Sequence, residues 1–180
     1  AKNQILLDPE KTLEEAEIED GECLTVLVLE QPQLAATKRA FALWCQGDGT
    51  IVTWGDPRHG GDSSAIRDQL KGVQLIQATY SAFAAILEDG SVVTWGCADR
   101  GGDSSAVRDQ LKGVQQIQAS QLAFAAILED RSVVTWGDAH GGGNSDSSAV
   151  RDQLRCVQQI QATDHAFAAI LADGSVVTWG

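Results

Sequence analysis

A motif of about 41 residues recurs along this chain and constrains its fold more than any other feature. The copies are AFALWCQGDGTIVTWG from Ala40, AFAAILEDGSVVTWG from Ala82, AFAAILEDRSVVTWG from Ala123 and AFAAILADGSVVTWG from Ala166. The tryptophans that end these copies fall in register, at spacings of 41, 41 and 43 residues: Trp54, Trp95, Trp136 and Trp179. A fixed period of this length is typical of arrays in which each repeat buries its apolar surface against its neighbours.

Each repeat is predicted to form three strands, exemplified by VQQIQA, AFAAIL and SVVTWG. The second strand is apolar at every position, which is expected when sheets cover both of its faces. Segments that align with VQQIQA divide the chain into residues 1–29 and four repeats, near 30–71, 72–112, 113–155 and 156–180. The sequence therefore predicts an all-β fold, a partial or oligomer-completed β-propeller of four three-stranded repeats.

The turn between the second and third strands carries the Asp-Gly pair that favours hairpins, at Asp48-Gly49, Asp89-Gly90 and Asp173-Gly174. The third repeat has Asp130-Arg131 at this place. We expect Arg131 to adopt a positive φ, at a cost of about 1 kcal/mol relative to glycine.

The strand-ending TWG, the DGS hairpin and the pairing of QIQAT with AF resemble the regulator of chromosome condensation family of β-propellers, over residues 30–180. The three-stranded unit is closer to the compact blades of the β-lactamase-inhibiting propeller than to the longer blades of the chromatin protein. The resemblance implies rings that usually have seven blades. Four repeats would then be a segment of a larger ring, a ring completed by self-association or a larger complex, or an arc with other stabilising contacts.

Residues 1–29 follow a different pattern. The segment from Ile5 to Leu29 resembles the C-terminal half of a ubiquitin-like β-grasp domain, with a bend at Asp20-Gly21 and a final strand from Leu24. The first hairpin, the main helix and the conjugating di-glycine tail of that family are absent from these residues, so the resemblance does not imply a modifier. A simple strand and turn leading into the first repeat explains the segment equally well.

Composition narrows the classes of partner. The chain has 13 Lys and Arg against 25 Asp and Glu, a net charge of −12, which disfavours nucleic acid as a partner. No apolar run approaches the ~20 residues of a membrane-spanning helix. The cysteines, Cys23, Cys45, Cys97 and Cys156, form no CxxC pair. Free thiols in a reducing, intracellular compartment, cytoplasmic or organellar, are favoured over a disulfide scaffold.

No motif for catalysis or cofactor binding is found among the P-loop, GxGxxG, GxSxG and HExxH patterns, so we expect neither an enzyme nor a cofactor. His59 and His140 occupy equivalent loop positions, but Arg100 takes that position in the repeat between them. We interpret these histidines as solvated loop residues and expect no metal site. The repeated tryptophans are interpreted as core, with Trp54, Trp95 and Trp136 in equivalent buried places.

The positions that vary within the repeat are the candidate partner-binding residues. They follow the first strand of each repeat, where loops are free to differ: Lys38-Arg39, Tyr80-Ser81, Gln121-Leu122 and Asp164-His165. A second variable set follows each TWG, at 56–59, 97–100 and 138–140. Tyr80 is the only tyrosine, and tyrosine is enriched at interface hot spots. Neutral drift on solvent-facing loops explains the same variation and stays open as an alternative.

The preferred function is a non-enzymatic protein-protein interaction or scaffold module with a protein partner. One alternative, implied by the resemblance, is a regulatory arm of a ubiquitin-pathway ligase or small-GTPase exchange factor. Another is a structural subunit of a large assembly. In each case the terminal sheets expose an apolar face, so we expect them to be covered by the first thirty residues, another chain or further sequence.

Overall fold

Short antiparallel strands are the main secondary structure of the computed structural model, which describes residues 32–45, 51–143 and 148–180. The strands are β1 Gln33–Ala36, β2 Ala40–Trp44, β3 Ile51–Gly55, β4 Val73–Ala78, β5 Ala82–Leu87, β6 Val92–Gly96, β7 Val114–Ala119, β8 Ala123–Leu128, β9 Val133–Gly137, β10 Val157–Ala162, β11 Phe167–Leu171 and β12 Val176–Trp179. The short helices are 3-10 helices over Pro57–His59, Ser64–Gln69, Ala98–Arg100, Ser105–Val107 and Ala139–Gly141, and α1 over Ser148–Arg151. No helix within the described ranges is long and apolar enough to cross a membrane.

The twelve strands form four separate sheets of three strands, each with the strands in chain order. We call them blade 1 (β1–β3), blade 2 (β4–β6), blade 3 (β7–β9) and blade 4 (β10–β12). One sequence repeat therefore forms one sheet, and the predicted all-β class is confirmed. The ubiquitin-like hypothesis for residues 1–29 and the turn predicted at Asp48-Gly49 lie outside the described residues.

Each blade has two apolar faces of different composition, because successive strand residues point to opposite sides of a sheet. The aromatic face of blade 2, which carries Phe83 and Trp95, packs on blade 1. Its alanine face, which carries Ala82, Ala84 and Ile86, packs on blade 3. The same pairing of an alanine face with the aromatic face of the next blade joins blades 3 and 4. The core thus consists of three layers between neighbouring sheets.

The aromatic face fits into the loop of the preceding blade. Phe83 and Trp95 lie opposite each other on β5 and β6, with ring centroids 5.1 Å apart. A side chain at Gly60 would place its Cβ 2.6 Å from the Phe83 ring, so this contact requires glycine. Trp95 Nε1 donates a hydrogen bond to the Gly60 carbonyl at 3.0 Å. The same bond is repeated from Trp136 to Gly101 and from Trp179 to Gly142.

Trp54 departs from this pattern. It stacks on Phe41 with ring centroids 5.4 Å apart, yet 43% of its surface is exposed, whereas Trp95 is 5% and Trp136 4% exposed. The prediction that Trp54 is buried equivalently to Trp95 and Trp136 is wrong. The physical reason is that, within the described ranges, no blade lies in front of the aromatic face of blade 1.

The hairpin turns also dock on the next blade. Gly90 has a φ of 74°, and Arg131 at the equivalent place has a φ of 63°, which confirms the predicted left-handed arginine. The Gly90 carbonyl accepts a hydrogen bond from the Val114 amide at 2.9 Å, and the Arg131 carbonyl accepts one from the Val157 amide at 3.0 Å. The arginine therefore keeps the backbone contact while adopting a conformation that favours glycine.

Candidate functional site

Both sets of variable positions lie at the same end of each blade. In a three-stranded antiparallel sheet the first strand ends where the second begins and where the third ends, so the two loops are neighbours. Thr79 Oγ1 accordingly donates to the Arg100 carbonyl at 3.0 Å, and the Cys97 amide donates to the Ser81 carbonyl at 2.9 Å. We call this surface the rim: residues 38–39, 80–81, 121–122 and 164–165 with the loops 56–59, 97–100 and 138–140.

A ladder of backbone hydrogen bonds joins the blades along the rim. The Lys38 amide donates to the Tyr80 carbonyl at 3.0 Å, the Tyr80 amide to the Gln121 carbonyl at 2.8 Å, and the Gln121 amide to the Asp164 carbonyl at 3.0 Å. We call residues 38, 80, 121 and 164, which these bonds join, the tips of the blades. The bonds use only main-chain atoms, so they fix the backbone of each tip whatever its side chain is. The rim is therefore a fixed backbone on which the side chains differ from blade to blade.

Tyr80 stands at the centre of a cationic cluster between blades 1 and 2. The Lys38 ammonium contacts the Tyr80 hydroxyl and lies 4.7 Å from the centre of its ring. The Arg100 guanidinium carbon lies 5.3 Å from the same centre, and the His59 ring centre 6.4 Å away. Cations within about 6 Å of an aromatic face are attracted by the quadrupole of the ring. Tyr80 thus places Lys38 and Arg100 on one surface in a chain that is otherwise acidic.

Asp56 fixes the loop beside this cluster. Its carboxylate accepts hydrogen bonds from the Arg58 side chain at 3.0 and 3.2 Å and from the Arg58 amide at 3.0 Å. The side-chain hydrogen bonds from Arg58, followed by the backbone one, lower the pKa of Asp56 from 3.8 to about 2. Arg39 Nη1 lies 4.0 Å from the same carboxylate. Asp56 therefore holds Arg58 and orients Arg39 next to Lys38.

His59 is not the solvated residue that the sequence predicted. Its side chain is only 17% exposed, because it lies between Asp56 and the Tyr80 ring of the next blade. Its Nδ1 is 3.5 Å from Asp56 Oδ2 but forms no hydrogen bond there. His140, by contrast, is exposed, and its amide donates to Asp138 at 2.8 Å. That bond is the main cause of the lowered pKa of Asp138.

The predicted contact residues do not all reach solvent. Lys38, Arg39, Asp164 and His165 are exposed, and Tyr80, Gln121 and Leu122 are half-buried. Ser81 is buried, because the loop at Cys97 closes over it, and its place on the contact surface is corrected here. The part of the rim that belongs to blades 3 and 4 carries Asp164 and lacks the cations that surround Tyr80. The rim is cationic at one end and neutral to acidic at the other.

Sequence reasoning treated the two variable sets separately and missed that Arg100 and His59 flank Tyr80. The order of the strands in the repeat was the signal that could have joined them. Within the described residues, no group of three His, Cys, Asp or Glu side chains could hold a metal ion, and Cys45, Cys97 and Cys156 are free. A cavity of about 520 Å³ opens elsewhere, against β6 and residues 102–112.

Four stacked three-stranded sheets define a partial β-propeller, of the kind found in yeast RCC1. The chain is similar to the structure of Prp20p from Saccharomyces cerevisiae, with a TM-score of 0.59 and 17% identity over 86% of this chain and 46% of that one. It is also similar to the ectodomain of the Arabidopsis thaliana receptor kinase ACR4, with a TM-score of 0.55 and 19% identity over 84% and 51%. The structure of human WBSCR16 is similar as well, with a TM-score of 0.52 and 15% identity over 87% of this chain and 49% of that one.

The chain therefore spans about half the length of these structures. No protein-family model and no curated protein matches its sequence. At these identities the likeness concerns the fold, and a function has to be argued from the rim itself.

Proposed function

We propose that this chain is a non-enzymatic protein-protein interaction module whose contact surface is the rim around Tyr80. The observation that carries the proposal is the convergence of the two sets of variable loop positions at one end of the blades, on a backbone that hydrogen bonds between the blades hold in place. A repeated frame with variable loops gathered at one end is the arrangement expected of a binding scaffold. Neutral drift would leave such side chains without shared contacts, whereas Tyr80 contacts Lys38 and lies beside Arg100.

The chemistry around Tyr80 favours an acidic protein segment as the partner. Tyrosine and arginine are among the residue types most enriched at interface hot spots, and both are present here beside a lysine. Carboxylates on the partner would pair with Lys38 and Arg100, and the acidic remainder of the chain would repel the partner elsewhere and so orient it. The rim backbone is already ordered by the ladder, so binding would not have to order it.

Affinity purification with matched variants tests this proposal. The proteins retained by the wild-type chain are compared with those retained by Tyr80→Ala and Arg100→Ala, and the binding of the strongest partner is then measured in purified form. We expect each variant to weaken that binding by at least ~1 kcal/mol, about fivefold, without lowering the melting temperature. Arg67→Ala removes the same charge from an exposed residue outside the rim and should bind like wild type.

Two results would count against the proposal. Unchanged affinity in Tyr80→Ala and Arg100→Ala would remove the rim as the contact surface. A melting temperature that falls in parallel with affinity would show that Tyr80 is a packing residue. Tyr80→Phe keeps the ring that lies near Arg100 and removes the hydroxyl that contacts Lys38, so it separates the two contacts.

A second candidate function is a regulatory arm of a small-GTPase exchange factor or of a ubiquitin-pathway ligase. The exchange-factor role is favoured by the likeness to Prp20p, the yeast RCC1, whose structures were described with its binding properties to Gsp1p and histones and in a complex with Kap60. Release of a fluorescent guanine nucleotide from a small GTPase in the presence of the chain tests the exchange role. A structural subunit remains the third candidate, and the free cysteines support an intracellular setting for all three.

A further inference from the structure

The two ends of the blade array expose the two faces that pair with each other inside it. The aromatic face of blade 1 exposes four large apolar side chains: Leu34, Phe41, Val52 and Trp54. The alanine face of blade 4 exposes Ile170 and Val176, the latter by 61%. Contiguous apolar surfaces of this kind mark interaction sites in soluble proteins.

The internal interfaces show which surface fits each end. Val93 and Trp95, the equivalents of Val52 and Trp54, are buried against the alanine face of blade 1. Val92, the equivalent of Val176, packs against the aromatic face of blade 3. An aromatic face is therefore covered by an alanine face wherever a neighbouring blade is present. At the ends of the array, blade 1 exposes an aromatic face and blade 4 exposes an alanine face, which are the two partners of such an interface.

The backbone ladder of the rim is complementary at its ends as well. Each step runs from the amide of one tip to the carbonyl of the tip on the next blade, and the last step ends on the Asp164 carbonyl. Among the described residues, the Asp164 amide has no following tip to which it could donate. At the other end of the array, the described ranges hold no preceding tip from which the Lys38 carbonyl could accept. One more step of the same kind would join Asp164 of one chain to Lys38 of another.

We propose that a second copy of this chain docks head to tail, with the alanine face of blade 4 of each copy on the aromatic face of blade 1 of the other. Both interfaces then repeat the contact that joins consecutive blades. Two copies hold eight blades, which is within the range of about four to eight found in closed propellers, whereas three copies would exceed it. A head-to-tail contact that closes in this way gives a finite ring instead of a filament.

The mass of the particle in solution is the first test. The chain is measured by light scattering after size exclusion, over a hundredfold range of concentration. We expect a mass about twice the 19.1 kDa of one chain, with dissociation only on dilution. A single-chain mass at every concentration overturns the proposal, whether the first thirty residues or solvent covers the end faces.

A pair of charge variants tests the geometry. Val176→Glu places a carboxylate on the alanine face, and Val52→Lys places an ammonium on the aromatic face. Val52 is 48% exposed and Val176 61% in the single chain, so neither change should disturb its folding, which circular dichroism checks. We expect each variant alone to lose the twofold increase in mass, because every interface would bury an unpaired charge.

The equimolar mixture is the decisive sample. A ring of one Val176→Glu chain and one Val52→Lys chain has one interface with opposite charges and one of wild-type composition. Native mass spectrometry should therefore find the mixed pair and neither of the like pairs. Ala106→Glu, an exposed change between blades 2 and 3 and outside the rim, is the control and should keep the wild-type mass. Association that survives the single variants, or that fails to return in the mixture, overturns the proposed contact.

Discussion

At the scale of single residues, the fourth blade and the hairpin of the third use side chains where the sibling repeats use glycine. Arg131 and Cys156 both have left-handed backbones, with φ of 63° and 56°. The corresponding positions in blade 2 are Gly90 and Gly72, with φ of 74° and 64°. Non-glycine residues pay a steric cost in this region, because Cβ approaches the following carbonyl oxygen. These two positions therefore lower the stability of the chain without changing its fold.

Arg131→Gly should raise the free energy of unfolding by about 1 kcal/mol. The change removes the steric cost and keeps the Arg131 carbonyl, which accepts the hydrogen bond from Val157. Urea unfolding followed by tryptophan fluorescence measures the difference. Arg67→Gly, in a 3-10 helix where glycine brings no such relief, should be destabilising, and a similar gain at both sites would refute the explanation.

The stability that Asp56 contributes should depend on pH. Its pKa is about 2 in the folded chain, against the usual 3.8, because the charged form is held by Arg58. A lowered carboxyl pKa stabilises the fold above the usual pKa, and this stabilisation disappears as pH falls through the folded value. The melting temperature of the wild type should therefore exceed that of Asp56→Asn at neutral pH, and the gap should close between about pH 4 and pH 2.

Arg58→Ala provides the control for this effect. Without the guanidinium, the pKa of Asp56 should rise toward 3.8, and NMR titration of the carboxyl carbon follows it directly. Both charges lie near the surface, so molar salt should narrow the gap at neutral pH. If there is no gap at any pH in this range, Asp56 acts only as the turn acceptor for the Arg58 amide, a role that asparagine also fills.

At the scale of elements, the strands and hairpins were predictable because their signals are local. The doubly apolar AFAAIL indicated a sheet covered on both sides, and β5 is indeed buried from Ala82 to Ile86. The burial of the tryptophans could not be predicted from the motif in which they stand. Trp54 and Trp95 have the same neighbours in sequence, and the difference in their exposure arises from whether a blade lies in front of them.

Trp95→Ala and Trp54→Ala should therefore differ in cost although the motif is the same. Removing Trp95 leaves a cavity between blades 1 and 2 and breaks the bond to the Gly60 carbonyl, for a loss of about 3 to 5 kcal/mol. Removing Trp54 should lower the free energy of unfolding by much less in a Val176→Glu background, where the second copy cannot cover Trp54. Chemical denaturation of the two variants in that background makes the comparison, and equal losses would contradict the assignment of the core.

At the scale of the whole molecule, the sequence predicted four blades but left open how the array ends. The repeat establishes what each blade offers its neighbours, and the three internal interfaces confirm that the faces pair. The convergence of the variable loops required the order of strands within a blade, which the repeat contains in principle. How the end faces are covered depends on contacts between chains, which the local pattern of a single repeat does not specify.

Hydrogen exchange along the rim ladder provides a test at this scale. The amides of Lys38, Tyr80 and Gln121 are bonded inside the single chain, so they should exchange slowly in every variant that folds. The Asp164 amide finds its acceptor only in the second copy. In the wild-type pair it should be protected like the others, and in Val176→Glu it should exchange about tenfold faster, since one hydrogen bond is lost. The Thr79 amide, bonded to Ala82 within its own blade, serves as the internal control. If Asp164 exchanges equally fast in both proteins while the wild-type mass is doubled, the copies associate through some other surface than the ends of the array.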